Sequence, residues 1–243
     1  MGRNCVREVL RHAPQQVVKL LSSATSGGDA EIDRLAEQAD IPCEPLTNAE
    51  LSALVSSDSH QSYVALLKDR HVYELKEVLG ASESKSRSLI VMVDTINDPQ
   101  NFGAILRACE CFGVDAVIWS KNRGVSVTPV VTKSSVGATE LVPMVPVSNL
   151  GEALRKLKDS GYWVVAADAA ADAQSIWSFE MPEKCVIIFG SEGEGIQRLL
   201  LENSDFKVAI PLLGRIDSLN VSQAVALFLF RYRQNHAFGE KIA

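Results

Sequence analysis

Short apolar runs alternate with amphipathic helical stretches along nearly the whole chain, and this alternation predicts an α/β architecture. In the first eighty residues the periodicity predicts helices over 5–11, 31–38 and 49–55, strands over 17–21 and Tyr63–Leu67, and a short helix over 73–79. A polar, serine-dense stretch without apolar period follows at 82–88 and reads as a linker between domains of residues 1–81 and 89–243. Beyond it the predicted strands are 89–93, 114–119, 141–145, 162–167, 186–189 and 207–210. The predicted helices between and after them are 101–112, 129–135, 150–160, 197–203 and 219–235. These strands are apolar along their whole length, which implies a mostly parallel sheet covered on both faces. The final helix is apolar on nearly every side and is expected to be buried or to lie at a subunit interface.

A chain of 243 residues can bury a sizeable core without staples. No apolar run reaches the length of a membrane span, and the N-terminus lacks the apolar segment of a secretory signal, so a cytoplasmic protein is expected. Cys5, Cys43, Cys109, Cys111 and Cys185 are odd in number and form no CxxC pair, which suits reduced thiols and no metal site. The formal charge of −6 requires that any nucleic-acid partner meet a local basic patch.

Three polar loops lie between predicted strands and helices, at the edge where open α/β sheets bind ligands. The first is Asn97-Asp98-Pro99-Gln100-Asn101, leading to Arg107, with Asn101 as the expected helix N-cap. The second is Gly190-Ser191-Glu192-Gly193-Glu194-Gly195. Its glycines are expected to let the backbone approach a ligand, and its glutamates disfavour a pyrophosphate but tolerate a cationic or hydroxyl-rich one. The third, Asp217-Ser218-Leu219-Asn220, opens the last helix with more polar groups than one cap requires.

In order and spacing these segments resemble the three motifs of the SpoU family of RNA ribose methyltransferases, within the SPOUT superfamily. Residues 128–138 resemble the segment the family carries between its first two motifs. Gly2-Arg3-Asn4-Cys5-Val6 and His60-Gln61 are similar to the two ends of a substrate-binding domain found in one subgroup, which resembles a ribosomal protein. Ser62 stands where that subgroup usually has glycine. The resemblance implies a trefoil-knotted α/β methyltransferase domain, a small α/β substrate-binding domain before it, S-adenosylmethionine as cofactor, and a homodimer whose site is completed across the interface.

Carried onto matching positions, it implies that Gly190, Ile210 and Leu219 contact the cofactor and that Asn101, Arg107, Glu192, Ser218 and Asn220 form the active site. No histidine lies in the three motifs, so the usual general base is missing. The family proposal gives that role to Arg107. A guanidinium holds its proton, however, so hydrogen bonding to the developing alkoxide or to a phosphate is physically easier. Lys121, Arg123 and Lys133 are candidates for RNA phosphate contacts, and His60 for an RNA contact in the first domain. The layout is similar to that of enzymes that methylate a guanosine ribose in bacterial large-subunit ribosomal RNA. Transfer RNA as substrate, a non-catalytic RNA-binding protein and a doubly wound methyltransferase stay open as alternatives. The last lacks its glycine-rich loop, since Asp94-Thr95-Ile96-Asn97 holds no glycine.

Overall fold

The computed structural model describes residues 1–23, 28–191 and 193–236. In chain order the first elements are α1 (Arg3–His12), β1 (Val17–Ser22), α2 (Ala30–Gln38), β2 (Cys43–Pro45), α3 (Asn48–Val55), β3 (Tyr63–Leu67) and α4 (Leu75–Ser82). Then come β4 (Ser88–Val93), α5 (Pro99–Cys111), β5 (Ala116–Ser120), α6 (Pro129–Ser134), β6 (Met144–Val147) and α7 (Leu150–Asp159). The last are β7 (Trp163–Ala167), β8 (Gln174–Ser175), β9 (Lys184–Phe189), α8 (Arg198–Glu202), β10 (Phe206–Ala209) and α9 (Val221–Asn235). They divide into two compact units, Met1–His71 with Val127–Leu141, and Val72–Ser126 with Val142–Ala243.

In the first unit β1 is central, paired parallel to β2 and antiparallel to β3. Its core is Val6, Val9 and Leu10 of α1, Leu20 of β1, Ile32 and Ala36 of α2, and Tyr63. Asp29 caps α2 by accepting from the amides of Glu31 and Ile32, and Thr47 with Glu50 forms a reciprocal capping box at α3. The two ends of the expected substrate-binding domain meet: the Gly2 amide donates to the Tyr63 carbonyl at 3.0 Å and the Arg3 amide to Gln61 Oε1 at 3.0 Å. Ser62 has φ +67, a left-handed backbone that explains why glycine suits this place. The stretch 127–141, expected inside the second domain, belongs to this unit, where Arg70 pairs with Glu140.

The second unit holds a sheet of seven described strands in the order β6-β5-β4-β9-β7-β10-β8, and every pairing is parallel, as the uninterrupted apolar runs imply. All residues of β4 and β5 are buried. Burial of each large aliphatic chain in this layer contributes roughly 1.5–3 kcal/mol. On α7 the buried residues Leu150, Ala153, Leu154 and Leu157 follow the helical spacing, and Asn149 caps the helix by accepting from the Glu152 amide at 3.1 Å. The serine-dense stretch 82–88, expected as a linker, is built into this unit. Ser82 and Ser88 are buried, Lys184 donates to the Ser82 carbonyl at 2.9 Å, and Lys85 pairs with Asp115.

Two boundaries differ from expectation for local reasons. Helix α5 begins at Pro99, because proline suits the first helical position, so Asp98 rather than Asn101 is its cap; Asp98 Oδ1 accepts from the Gln100 amide at 2.9 Å. The strand expected at 141–145 forms as Met144–Val147, after a 3₁₀ turn at Ala138–Glu140. Among the described residues no helix is long and apolar enough to cross a membrane, and no group of three or more potential ligands gathers for a metal.

Candidate active site

The second and third loops follow the carboxyl ends of β9 and β10 and, with the end of β7, line two neighbouring cavities. The larger, about 430 Å³, is lined by Phe189, Gly190, Ser191, Gly193, Leu219 and Asn220 among others. The smaller, about 200 Å³, includes Asp168, Ile210, Leu212 and Asp217. Ala167, Ser218, Leu219 and Ala224 line both. All three expected cofactor positions therefore border this cleft: Gly190, Ile210 and Leu219.

The glycines of the second loop serve the loop itself first. Ser191 and Gly195 exchange backbone hydrogen bonds at 3.0 and 3.1 Å, folding the segment back on itself. A Cβ on Gly190 would lie 2.1 Å from the Gly195 carbonyl carbon, so residue 190 must be glycine for this closure. Gly193 and Gly195 have φ of +96 and +71. Glu192, expected in the active site, lies outside the described residues.

Asn220 caps α9, its Oδ1 accepting from the Ser222 amide at 2.9 Å. Its Nδ2 donates to Asn101 Oδ1 at 2.9 Å. The first and third loops are thus joined by side chains 119 positions apart. Ser218 lines the cleft, and its hydroxyl lies 3.4 Å from Asp217 Oδ1. Arg107 is exposed on α5 and lines neither cavity.

The cleft is acidic: Asp168 and Asp217 line it, and among the described residues no lysine or arginine does. Two carboxylates on a wall of apolar groups, backbone and the neutral polar side chains of Ser191, Ser218 and Asn220 suit a ligand carrying positive charge on an apolar body, which describes the sulfonium and ammonium groups of S-adenosylmethionine. Thiol chemistry has no place here. Cys109 and Cys185 are fully buried and burial pushes both thiols strongly up, while burial also raises Cys5, so the neutral thiol prevails at neutral pH.

Of the expected RNA contacts, Lys121 and Arg123 are exposed just past β5, and Lys133 is half-buried on α6. His60 is a correction. It is buried, its Nδ1 accepts from the Ser62 amide at 3.1 Å and its Nε2 lies 3.1 Å from Ser52 Oγ. With both ring nitrogens engaged inside the fold, it braces the turn before β3 and offers nothing to RNA. Sequence reasoning missed Asp94, which is buried at the end of β4 and anchors the start of α8, and Asp168 and Asp217 as walls of the cleft. Position was the available signal: Asp94 and Asp168 are each the first residue past an apolar strand.

Residues 88–230 match the SpoU rRNA Methylase family, and residues 1–73 match the RNA 2′-O ribose methyltransferase substrate-binding family. A Staphylococcus aureus protein of the TrmH family of tRNA/rRNA methyltransferases is 33% identical over 99% of this chain and 97% of its own. The 23S rRNA (guanosine-2′-O-)-methyltransferase RlmB of Pseudomonas putida is 36% identical over 94% of this chain and 93% of its own. In fold, the chain is similar to the SpoU methyltransferase AviRb of Streptomyces viridochromogenes in complex with AdoMet, with a TM-score of 0.79 at 20% identity, over 97% of this chain and 89% of that one. The chain belongs to the SpoU rRNA methylase family, as an RNA 2′-O-methyltransferase with a substrate-binding domain ahead of its catalytic one.

Proposed function

We propose that the protein methylates the ribose 2′-oxygen of a guanosine in large-subunit ribosomal RNA in the cytoplasm, acting as a homodimer with S-adenosylmethionine as methyl donor. The observation that carries this reading is the Asn101–Asn220 bridge beside an acidic cleft, which joins two motif loops at the carboxyl edge of the sheet. The RNA and the nucleoside are taken from the likeness to the Pseudomonas enzyme over nearly the whole chain.

When bound, S-adenosylmethionine supplies a methyl group on a positively charged sulfur. Gly190, Ile210 and Leu219 are assigned to hold it, with Asp168 and Asp217 favouring its positive charge. Asn101 and Asn220, fixed by each other and by the cap of α9, orient the reacting ribose with Ser218 and Glu192. An in-line displacement needs positioning and charge stabilisation above all. Arg107 stabilises the oxygen as it loses its proton. Because Arg107 lines neither cavity of its own chain, it is assigned to the site of a second copy. Leu213 and Ile216, just ahead of the third loop, are 90% and 77% exposed, and Leu227 and Phe230 of α9 are exposed too, an apolar surface suited to being covered by that copy. The trefoil knot belongs to the same proposal, as do RNA phosphate contacts by Lys121, Arg123 and Lys133.

The test is transfer from methyl-labelled S-adenosylmethionine to purified large-subunit RNA, to immature large-subunit particles and to transfer RNA, with the labelled nucleoside identified by mass. Methylated guanosine in large-subunit RNA, free or in particles, is expected. Label in transfer RNA alone would overturn the substrate, and label in none would leave a non-catalytic RNA-binding protein.

A further inference from the structure

A separate polar cavity of about 420 Å³ opens at the carboxyl ends of β5 and β6, lined by Ser120, Asn122, Arg123, Asn149 and Gln197 among others. Behind it lies the Asp94 carboxylate, 1% exposed. Asp94 Oδ2 accepts from the Gln197 backbone amide at 2.7 Å, and Oδ1 accepts from the Gln197 side-chain amide and from the Thr95 hydroxyl at 3.1 Å. All these donors are neutral, and among the described residues Asp94 has no ion-pair partner. A buried carboxylate in that state strongly holds the donors it has.

The consequence is directional. With its Nε2 committed to Asp94, the Gln197 amide must turn Oε1 outward, and that oxygen accepts from Arg123 Nη1 at 3.0 Å. A carboxylate, an amide and a guanidinium thus form one polarised chain whose last member lines the cavity. One N–H of Arg123 is used, while a guanidinium carries five. The remaining donors suit a phosphate oxygen, with the fork geometry that lysine lacks. In the strand order, β5 stands two places from β9, so the cavity lies about 10 Å along the sheet edge from the second loop, a separation that a neighbouring nucleotide spans.

We propose that Asp94 and Gln197 are positioning residues that hold Arg123 to bind a phosphodiester of the RNA substrate in this cavity, beside the nucleotide being methylated. The proposal rests on the RNA-methylation reading and assigns a substrate subsite within it.

In Asp94→Asn, one side-chain oxygen becomes an NH₂ group. Facing Gln197 Nε2, that group forces the amide to flip and turns a donor toward Arg123. The expected result is a KM and a Kd for RNA raised about 5- to 10-fold, with kcat within about twofold of wild type. Arg123→Ala should match this loss and lower the slope of log affinity against log salt by about one. Asp94→Asn in the Arg123→Ala background should then add nothing. The exchange Asp94→Asn with Gln197→Glu restores donor facing acceptor at both junctions and is expected to recover RNA affinity. Gln197→Ala, at an exposed side chain, tests the same chain should Asp94→Asn fail to fold.

Additive losses, unchanged RNA affinity in Arg123→Ala or Gln197→Ala, or a fall in kcat at constant KM would overturn the proposal. Because RNA Kd is measured apart from turnover, a wild-type protein that binds RNA without methylating it would defeat the catalytic reading and leave this subsite to be judged by the Kd values alone.

Discussion

Arg107→Ala is expected to lower methyl transfer by about 10²- to 10⁴-fold, with the loss in kcat. The size follows from the missing general base: with no histidine in the motifs, a cation near the 2′-oxygen is the group left to stabilise charge as the proton departs. The same change should leave folding and S-adenosylmethionine affinity near wild type, since Arg107 is exposed on α5 and lines neither cavity. Arg107→Lys keeps the charge and loses the planar fork, so it should recover only a small part of the rate. A mixed-dimer experiment locates the side chain. Arg107→Ala protein refolded with a cofactor-cleft variant such as Gly190→Ala should regain about a quarter of wild-type activity, because half of the dimers then carry one intact site. No recovery would place Arg107 in the site of its own chain.

Gly190→Ala should be the most damaging single methyl addition in the cleft. Its Cβ would lie 2.1 Å from the Gly195 carbonyl carbon, 2.3 Å from that carbonyl oxygen and 2.4 Å from the Ile196 nitrogen, all backbone atoms that cannot swing aside. The paired Ser191 and Gly195 hydrogen bonds must open, at a cost of about 3 kcal/mol or more. For a chain of this size that lowers Tm by roughly 6–12 °C. Affinity for S-adenosylmethionine should fall at least about tenfold, because the wall of the cleft moves with the loop. Gly161→Ala is the control: Gly161 has φ +84 but nothing stands within 4 Å of its added Cβ, so the cost is backbone strain alone, about 1 kcal/mol. Calorimetry on both variants, with and without cofactor, separates the clash from the strain.

The sequence was most readable where one physical signal dominated. Uninterrupted apolar strands such as Ser88–Val93 implied the parallel sheet, and helical spacing marked the buried face of α7. Motif residues Asn101 and Asn220 were legible as polar groups at loop–helix junctions, but their bond to each other joins distant parts of the chain and has no local signature. Where two signals competed, the local one misled. Asn101 resembles a cap, yet Asp98 before Pro99 caps better. The serine-dense 82–88 has the composition of a linker, yet tertiary bonds from Lys184 and Asp115 fix it. Strands β2 and β8, three and two residues long, were too short to leave a period. Asp94 is a single polar residue after a strand, indistinguishable in sequence from a turn aspartate until its buried bonds to Gln197 are seen.

Methylation at the ribose rather than at a base is tested most directly by alkaline hydrolysis of large-subunit RNA labelled with methyl-labelled S-adenosylmethionine by the wild-type protein. Alkali cleaves RNA through the free 2′-hydroxyl, so a methylated ribose protects the bond that follows it. The expected result is label recovered in alkali-resistant dinucleotides that begin with guanosine, and none after reaction with Arg107→Ala. Label released as ordinary mononucleotides would mean that the methyl group sits on a base, and would contradict the assignment of this site to the ribose.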